Sequence, residues 1–334
     1  MSTPLRPRAT EERLYQIRQA ASAAPAGPSP TGHPQIQGRD SYYGLPALKP
    51  PVWTWQVPLY FYFGGIAGVS AVMAFAAHLF RAEPAMVRLL LWMALVGAAV
   101  CPPLLIADLG KPSRFLNMLR VFKIRSPMSM GAWILVAFSG FAFIALAAHE
   151  LGRRGVDSPP LVGLGWFSEA LAAVTGLLLA SYTGVLIGAT AIPVWFSNRR
   201  ILPPHFLTSG LGSSAGILEL AGFLVPATQI LGFLAAGVET LLEVSFLVRR
   251  RSVDGPLHRG LSGNLFRVAG LLEGPAALAI RLIWGSAPAG RWAAAICFLL
   301  GALLSRYAWI WAGQASARDP RIQFADQRAG GARP

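Results

Sequence analysis

The sequence predicts an all-α, polytopic integral membrane protein with about eight transmembrane helices in a bundle. Of its 334 residues, 54% are hydrophobic and only 13% are charged, which is unlike an ordinary soluble domain. Apolar runs of spanning length recur along the chain, and ionisable residues collect between them. Because the bilayer core offers no water to an exposed backbone, each of these runs should be helical.

The predicted transmembrane domain covers residues 51–314, between a flexible N-terminal tail (1–50), open to partner contact, and a C-terminal tail (315–334). Its fourth segment is long for a bilayer, so we expect that helix to tilt or to protrude near Pro193. The boundary between the fifth and sixth segments depends mainly on Pro226. The eight segments, in order, are roughly 57–80, 85–107, 129–149, 163–196, 206–226, 228–249, 264–286 and 291–312.

Eight spans would place both termini on one side of the membrane, here called side A. Side A also holds the loop 108–128 and the loop 249–263, whereas the opposite side, side B, holds only short turns. Most Lys and Arg residues lie on side A, so the positive-inside rule makes side A cytoplasmic. Topology and anionic lipid headgroups account for the net charge of +14, and no nucleic-acid recognition motif accompanies it.

The loop 108–128 is polar and basic, and it separates two long apolar runs. It begins at Asp108 and closes on Ser126-Pro127, a pattern typical of a helix start. A charged loop of this length indicates a docking surface or a site at the membrane surface. The residues predicted to dock a partner are Lys111, Arg114, Arg120, Lys123 and Arg125.

Ionisable residues inside the predicted spans call for a functional hypothesis, since they are costly in a membrane. Glu239 and Glu243 lie one turn apart on one helix face, and Glu273 lies near the middle of the seventh segment. They suit a proton path, or equally structural pairing between helices. For Glu169 and Arg281 the pattern favours structural pairing.

Histidine and cysteine give little support for a bound cofactor. His78 and His149 both fall at side-B helix ends and could meet, which keeps a haem-bearing cytochrome as an alternative. Cys101 and Cys297 are isolated, and an iron–sulfur cluster needs about four thiolates. No metal-ligand spacing is present, so we expect no metal site.

Four ordered motifs carry a family resemblance between about Tyr42 and Leu220. With them, the chain resembles the NrfD / polysulfide reductase membrane-subunit family. The motifs are Tyr42-Tyr43-Gly44-Leu45-Pro46 with Trp53-Thr54-Trp55, Gly64-Gly65-Ile66-Ala67-Gly68, the stretch from Asp108 to Trp133, and Ser181-Tyr182-Thr183-Gly184-Val185-Leu186 with Pro193-Val194-Trp195.

The resemblance implies a subunit of the bacterial cytoplasmic membrane with about eight helices and no haem or iron–sulfur cluster of its own. Such subunits bind a quinone, menaquinone or ubiquinone, near the face where an iron–sulfur subunit of the four-cluster ferredoxin-like type docks. That partner exchanges electrons with a molybdenum or tungsten bis-pterin catalytic subunit. The resemblance leaves the catalytic partner's substrate open among polysulfide, thiosulfate, tetrathionate, nitrite and formate.

Residue by residue, the family's quinone pocket matches Tyr60, Asp108 and Tyr182 here, and Trp55 and Arg114 lie beside those motifs. The family carries amide and imidazole groups on the first helix, where this chain has Val57 and Tyr60. Quinol oxidation releases two protons, so Asp108 is the candidate catalytic proton acceptor, with Lys111 and Arg114 expected to hold it ionised. Tyr60 and Tyr182 can donate hydrogen bonds to a quinone oxygen.

Two other classes of function stay open. A small-molecule or proton transporter would use the intramembrane acids, and it predicts inverted repeats and broken helices, neither of which is evident in the sequence. A haem-bearing subunit would show a Soret band in its absorption spectrum. The quinone-reactive membrane anchor accounts for more of the motifs than either alternative.

Overall fold

The computed structural model describes residues 48–156, 158–249, 251–319 and 322, and every regular element in these ranges is helical. This confirms the predicted all-α class. The predicted N-terminal tail up to residue 47, including the motif at Tyr42 to Pro46, lies outside the described residues, as does most of the tail 315–334.

The chain forms twelve α-helices within the described ranges, together with a few shorter helical turns. Six of them are long and apolar enough to cross a membrane, so the protein is a multi-pass membrane protein. Those six are α1, α2, α4, α5, α8 and α12. In chain order the helices are α1 (Gln56–Leu79), α2 (Pro84–Asp108), α3 (Leu116–Arg120), α4 (Pro127–Arg153), α5 (Pro159–Gly188), α6 (Pro193–Ser197), α7 (Leu202–Leu220), α8 (Pro226–Val248), α9 (Gly255–His258), α10 (Gly260–Leu271), α11 (Ala277–Trp284) and α12 (Pro288–Arg318).

Proline marks the start of most long helices in this chain. The first helical position needs no intrahelical N–H partner, and proline's fixed φ suits that position. Pro226 is such a residue: it begins α8, whereas the sequence analysis used it as the end of the fifth segment. The fifth helix in fact ends earlier, at Leu220, and a turn through Gly222 separates the two helices.

The fourth predicted segment is not one long helix, and the expected protruding end near Pro193 is wrong. Helix α5 stops at Gly188, and the short helix α6 folds back into the bundle. Its Trp195 is fully buried, stacks on Trp53 with ring centroids 5.2 Å apart, and donates a hydrogen bond to the Trp309 carbonyl at 2.8 Å. Burial of the large Trp195 side chain stabilises this inward fold more than continuing helix α5 would.

The long helices pack as two groups of four. The first group contains α1, α2, α4 and α5, and the second contains α7, α8, the run from α10 to α11, and α12. Helices α1, α5, α7 and α12 meet between the groups. Small residues make this possible: a side chain at Gly68 on α1 would collide with the backbone oxygen of Gly176 on α5.

The two remaining predicted segments are also helical, although they are less apolar or less regular than the six. The fifth corresponds to α7, and the seventh corresponds to α10 and α11 joined by a π-helical segment, Leu272–Ala276. A π-helical segment amounts to one extra residue in an α-helix and is frequently found at functional sites. Here it contains Glu273, one of the acids singled out from the sequence.

Candidate functional site

Asp108 is the last residue of α2, at the side-A end of the first helix group. The backbone N–H of Thr54 donates to its Oδ1 at 3.1 Å, and the Thr54 hydroxyl donates to the same oxygen at 2.9 Å. These bonds join the entrance of α1 to the end of α2. They leave the second carboxylate oxygen, Oδ2, free of hydrogen bonds within the described part of the chain.

The expectation that Lys111 and Arg114 hold Asp108 ionised stays a prediction, since neither forms a direct ion pair with it in the described part of the chain. Among the described residues, no Lys or Arg nitrogen lies within 4.0 Å of its carboxylate, so Lys111 and Arg114 do not contact it. Both residues are exposed instead. The carboxylate is therefore held by two neutral hydrogen bonds from Thr54, at the C-terminal end of α2.

The two predicted tyrosines lie at the same end of the same helix group as Asp108. Tyr60, on α1, is 2% exposed, and its backbone carbonyl accepts a contact from Cys101 of α2. Tyr182, on α5, donates a hydrogen bond to the carbonyl of Pro127, the first residue of α4. Gly131 leaves space for the Tyr182 ring, because a side chain there would overlap it. Three helices thus bring the predicted groups to one end, without a direct hydrogen bond between them.

Trp55 lies just before α1 and exposes 59% of its surface, so its indole is available to a ligand or to lipid. Its backbone carbonyl accepts a hydrogen bond from Tyr307 of α12 at 3.2 Å. That contact ties the entrance of the first helix group to the second group.

One serine, Ser129, holds the loop after α2 through two hydrogen bonds. The Ser129 hydroxyl accepts from the Lys123 N–H at 3.0 Å and donates to the Val121 carbonyl at 3.1 Å. All five basic residues predicted to dock a partner are exposed. Exposed apolar side chains lie between them, with Ile124 at 73% and Phe122 at 56% exposure. A surface of mixed basic and apolar character is suited to a protein partner.

The second helix group contains a buried polar cluster that joins α7, α8, the π-helical segment and α12. His205 Nδ1 lies 2.7 Å from Glu239 Oε2, and His205 Nε2 lies 2.9 Å from the Ser305 hydroxyl. Ser209, one turn after His205, donates to Glu273 Oε1 at 2.9 Å. All five side chains are buried.

Arg306 supplies the positive charge of this cluster. Its guanidinium stacks over the Phe206 ring at 3.9 Å and donates to the Phe206 carbonyl at 3.1 Å. It interacts electrostatically with Glu273 and Glu239. Its Nε and Nη1 atoms are buried without a hydrogen-bond partner, as is Glu239 Oε1. Buried donors and acceptors that lack a hydrogen-bond partner are commonly satisfied by an internal water molecule.

A cavity of about 10 Å³ lies within the cluster, lined by His205, Glu239, Glu243 and Glu273 among others. That volume corresponds to about one water molecule. The predicted acids Glu239, Glu243 and Glu273 are thus brought together, on two neighbouring elements. A bound water here would complete a set of hydrogen-bonding groups able to share protons.

The donor atoms of His205, Glu239 and Glu273 lie within 4.8 Å of one another, which is close enough for a metal ion. Both nitrogens of His205 already take part in hydrogen bonds, and Arg306 supplies a positive charge where an ion would sit. The geometry therefore fits shared protons better than a metal.

The sequence analysis missed His205 and Arg306 as members of this cluster. A sequence signal existed for Arg306, since a charge inside an apolar run is expected to be paired or functional. His205 follows Pro203-Pro204 at the start of α7 and reads from sequence as an interfacial residue. Only the packing of α7 against α8 and α12 reveals that it is buried.

A second buried charged cluster lies nearer side B. Arg281 donates to both carboxylate oxygens of Glu219, at 2.9 and 2.7 Å. Arg291 donates to Glu219 Oε1 at 2.8 Å and to the Thr228 hydroxyl at 2.7 Å. Arg281 thus has the structural partner that the sequence pattern favoured. Arg267, by contrast, is exposed and bonds only to Asn264.

Comparison with known proteins gives one family and one relative. A family model described as "Polysulphide reductase, NrfD" matches residues 46–316. The curated protein named "Protein NrfD" from Escherichia coli (strain K12) is 31% identical over 194 residues. That match covers 51% of this chain and 59% of the length of the relative.

Proposed function

Because the chain belongs to the polysulphide reductase NrfD family, we propose that it is the quinone-reactive membrane subunit of a multi-subunit oxidoreductase. It exchanges electrons between the membrane quinone pool and a four-cluster ferredoxin-like iron–sulfur subunit. That subunit in turn serves a molybdenum or tungsten bis-pterin catalytic subunit. The single observation that carries the proposal is the family match over residues 46–316. The chain is not catalytic alone.

We assign the quinone site to the side-A end of the first helix group, at which three different helices carry Tyr60, Asp108 and Tyr182. In quinol oxidation two electrons pass to the iron–sulfur partner and two protons leave the ring oxygens. Asp108 accepts a proton through its free oxygen Oδ2, and a tyrosine hydroxyl orients the opposite ring oxygen. The exposed Trp55 offers an aromatic wall.

The loop after α2 is the proposed docking surface for the iron–sulfur subunit. It begins at Asp108, so the partner would lie directly over the quinone site. Its exposed basic and apolar side chains, including Lys111, Arg114 and Ile124, have no partner of their own within the described residues that would cover them. Electron transfer requires a short distance between the quinone and the nearest iron–sulfur cluster of the partner, and this arrangement would provide it.

We propose that all eight predicted segments cross the membrane. Helix α7 and the run from α10 to α11 pack against the clearly apolar helices α8 and α12 in the second group. Side A then carries the quinone site, the docking loop and the greater part of the positive charge. The positive-inside rule places side A in the cytoplasm.

The buried cluster of the second group is proposed as the start of a proton path towards side B. Glu239 and Glu273 share it with His205 and Arg306, and Arg306 lies beside α1 near Gly65. Serine hydroxyls continue along α7, and the Glu219 cluster lies beyond them. Carboxyl, imidazole and hydroxyl groups in sequence are the components of intramembrane proton relays.

The proton path is tested by Glu239→Gln and Glu273→Gln in the intact complex. Each change keeps the shape of the side chain and removes the exchangeable carboxyl proton. We expect proton release to fall by about tenfold or more, while quinone affinity stays unchanged. Proton release is followed with a pH dye in proteoliposomes, and exposed Glu83→Gln is the matched control. Unchanged turnover and proton release in both variants would remove the path.

The function itself is tested by native purification from the source membrane, with mass spectrometry and metal analysis of what co-purifies. We expect iron together with molybdenum or tungsten in a stable complex that reduces or oxidises a soluble quinone analogue. The large subunit would then identify the substrate. A chain that purifies without such subunits would instead favour the transporter alternative.

A further inference from the structure

A second cavity lies at the side-B end of the first helix group, far from the proposed quinone site. It has a volume of about 300 Å³ and lies between α1, α4 and α5. His78, His149, Arg153, Trp166 and Glu169 line it together with small and aliphatic side chains. None of these residues takes part in the quinone site, the docking loop or the proton path proposed above.

The cavity contains two buried polar atoms that have no partner. Glu169 is 4% exposed; its Oε2 lies 2.7 Å from His78 Nδ1, but its Oε1 has no hydrogen-bond partner among the residues that the structure describes. The Nε2 atom of His149 is also buried and unpartnered. Unmet polar atoms at a lined cavity are costly unless a ligand or water completes them.

One wall of the cavity is aromatic. The His78 ring stacks on Trp166 with centroids 4.1 Å apart and planes 24° apart, and Phe75 meets Trp166 edge-on at 6.2 Å. Small residues such as Ala145 and Ala148 and the aliphatic side chain of Leu161 lie opposite. An aromatic surface with a few polar atoms at its edge is the usual lining of a site for a flat organic ring.

A metal ion does not fit these polar groups. In the part of the chain that the structure describes, only His205, Glu239 and Glu273 bring their donor atoms within 4.8 Å of one another. The donors of His78, His149 and Glu169 are therefore too widely spaced for one ion. They suit a molecule that spans them with two separate polar atoms.

We propose that this cavity binds one quinol-type headgroup, in which one ring hydroxyl donates to Glu169 Oε1 and the opposite ring oxygen lies at His149 Nε2. The ring packs on the Trp166 and His78 wall. The inference rests on the proposed function in one respect, namely that membrane quinone is available to this chain. It assigns binding only, and no electron transfer.

The two sites are separated along α5. Glu169 and Tyr182 are 13 residues apart by their numbers (182 − 169), which is about 20 Å of helix. The same helix therefore presents a quinone at each membrane face. Occupancy at side B would add apolar and hydrogen-bonded contacts between α1, α4 and α5.

The test is photolabelling of the intact complex in native membranes with an azido-quinone, followed by peptide mapping. We expect label in peptides covering His149 and Trp166, in addition to label near Tyr60 or Tyr182. Trp166→Leu should lower the side-B label by about fivefold or more, through loss of the stacking surface. The matched control is Phe167→Leu, since Phe167 is the neighbouring aromatic residue, is 62% exposed and does not line the cavity.

Each outcome distinguishes the two proposals. Label at side A alone would overturn the side-B site and leave the proposed function intact. Label at neither side would overturn both. Side-B label displaced by excess phospholipid but not by unlabelled quinone would show a lipid cavity and overturn the inference, as would a Soret band from haem. Size-exclusion elution of Trp166→Leu checks that a loss of label is not a loss of fold.

Discussion

Asp108→Asn should lower quinol-linked turnover of the intact complex by about 10² to 10⁴-fold, the range expected when a general base is removed. The asparagine keeps the shape of the side chain, and its carbonyl oxygen can still accept both hydrogen bonds from Thr54. It cannot accept the proton of a quinol. The measurement is steady-state oxidation of a soluble quinol analogue by the purified complex.

Thr54→Val is the companion variant for Asp108→Asn. It removes the hydroxyl bond to Oδ1 at 2.9 Å and leaves the backbone N–H bond at 3.1 Å. We expect a smaller loss of turnover, because the carboxylate is less well oriented but still present. Asp108→Asn turnover within twofold of the unmodified complex would mean that another group accepts the proton. In that case the quinone site would have to be placed elsewhere.

Glu219→Gln should be the most destabilising single substitution among those considered. Two buried arginines, Arg281 and Arg291, donate to this carboxylate, and the change leaves their charges uncompensated. Removing one partner of a buried ion pair costs roughly 3–5 kcal/mol. We expect a marked fall in the thermal midpoint of the detergent-solubilised protein and in the yield of monodisperse material.

Two further variants make the Glu219 result interpretable. Adding Arg281→Met to Glu219→Gln should recover part of the loss, because one uncompensated charge is then absent and Arg291 keeps its bond to Thr228. Glu150→Gln breaks the half-buried pair with Arg88 and should change the thermal midpoint less than Glu219→Gln does. Equal midpoints for Glu219→Gln and Glu150→Gln would show that the buried cluster is not a structural lock.

The positions of the apolar segments could be predicted from the sequence because the bilayer acts on each segment separately. Hydrophobicity and length alone place a helix at residues 57–80, and the structure has α1 at Gln56–Leu79. Helix ends were less predictable. Pro226 starts a helix instead of ending one, which its local fit to the first helical position explains. Trp195 turns its short helix inwards because of contacts with Trp53 and Trp309, which are distant along the chain.

The site could be predicted only in part, for a similar reason. Asp108, Tyr60 and Tyr182 were found through motifs, and Glu239 and Glu273 through the rarity of acids in apolar runs. The sequence carried no sign that Thr54 would hold Asp108. Nor did it show that His205 would bridge Glu239 and Ser305, since these groups are far apart along the chain and meet only in the packed bundle.

The π-helical segment at Leu272–Ala276 changes the direction in which the later side chains of this helix point around its axis, compared with a regular α-helix. In a regular α-helix, Glu273 and Arg281 would point about 80° apart, since eight residues turn through about 800°. One extra residue within the run brings them to about 20° of each other. Glu273 can then reach Ser209 while Arg281 reaches Glu219, both on α7. A single inserted residue thus lets one helix present both its acid and its base to the same neighbour.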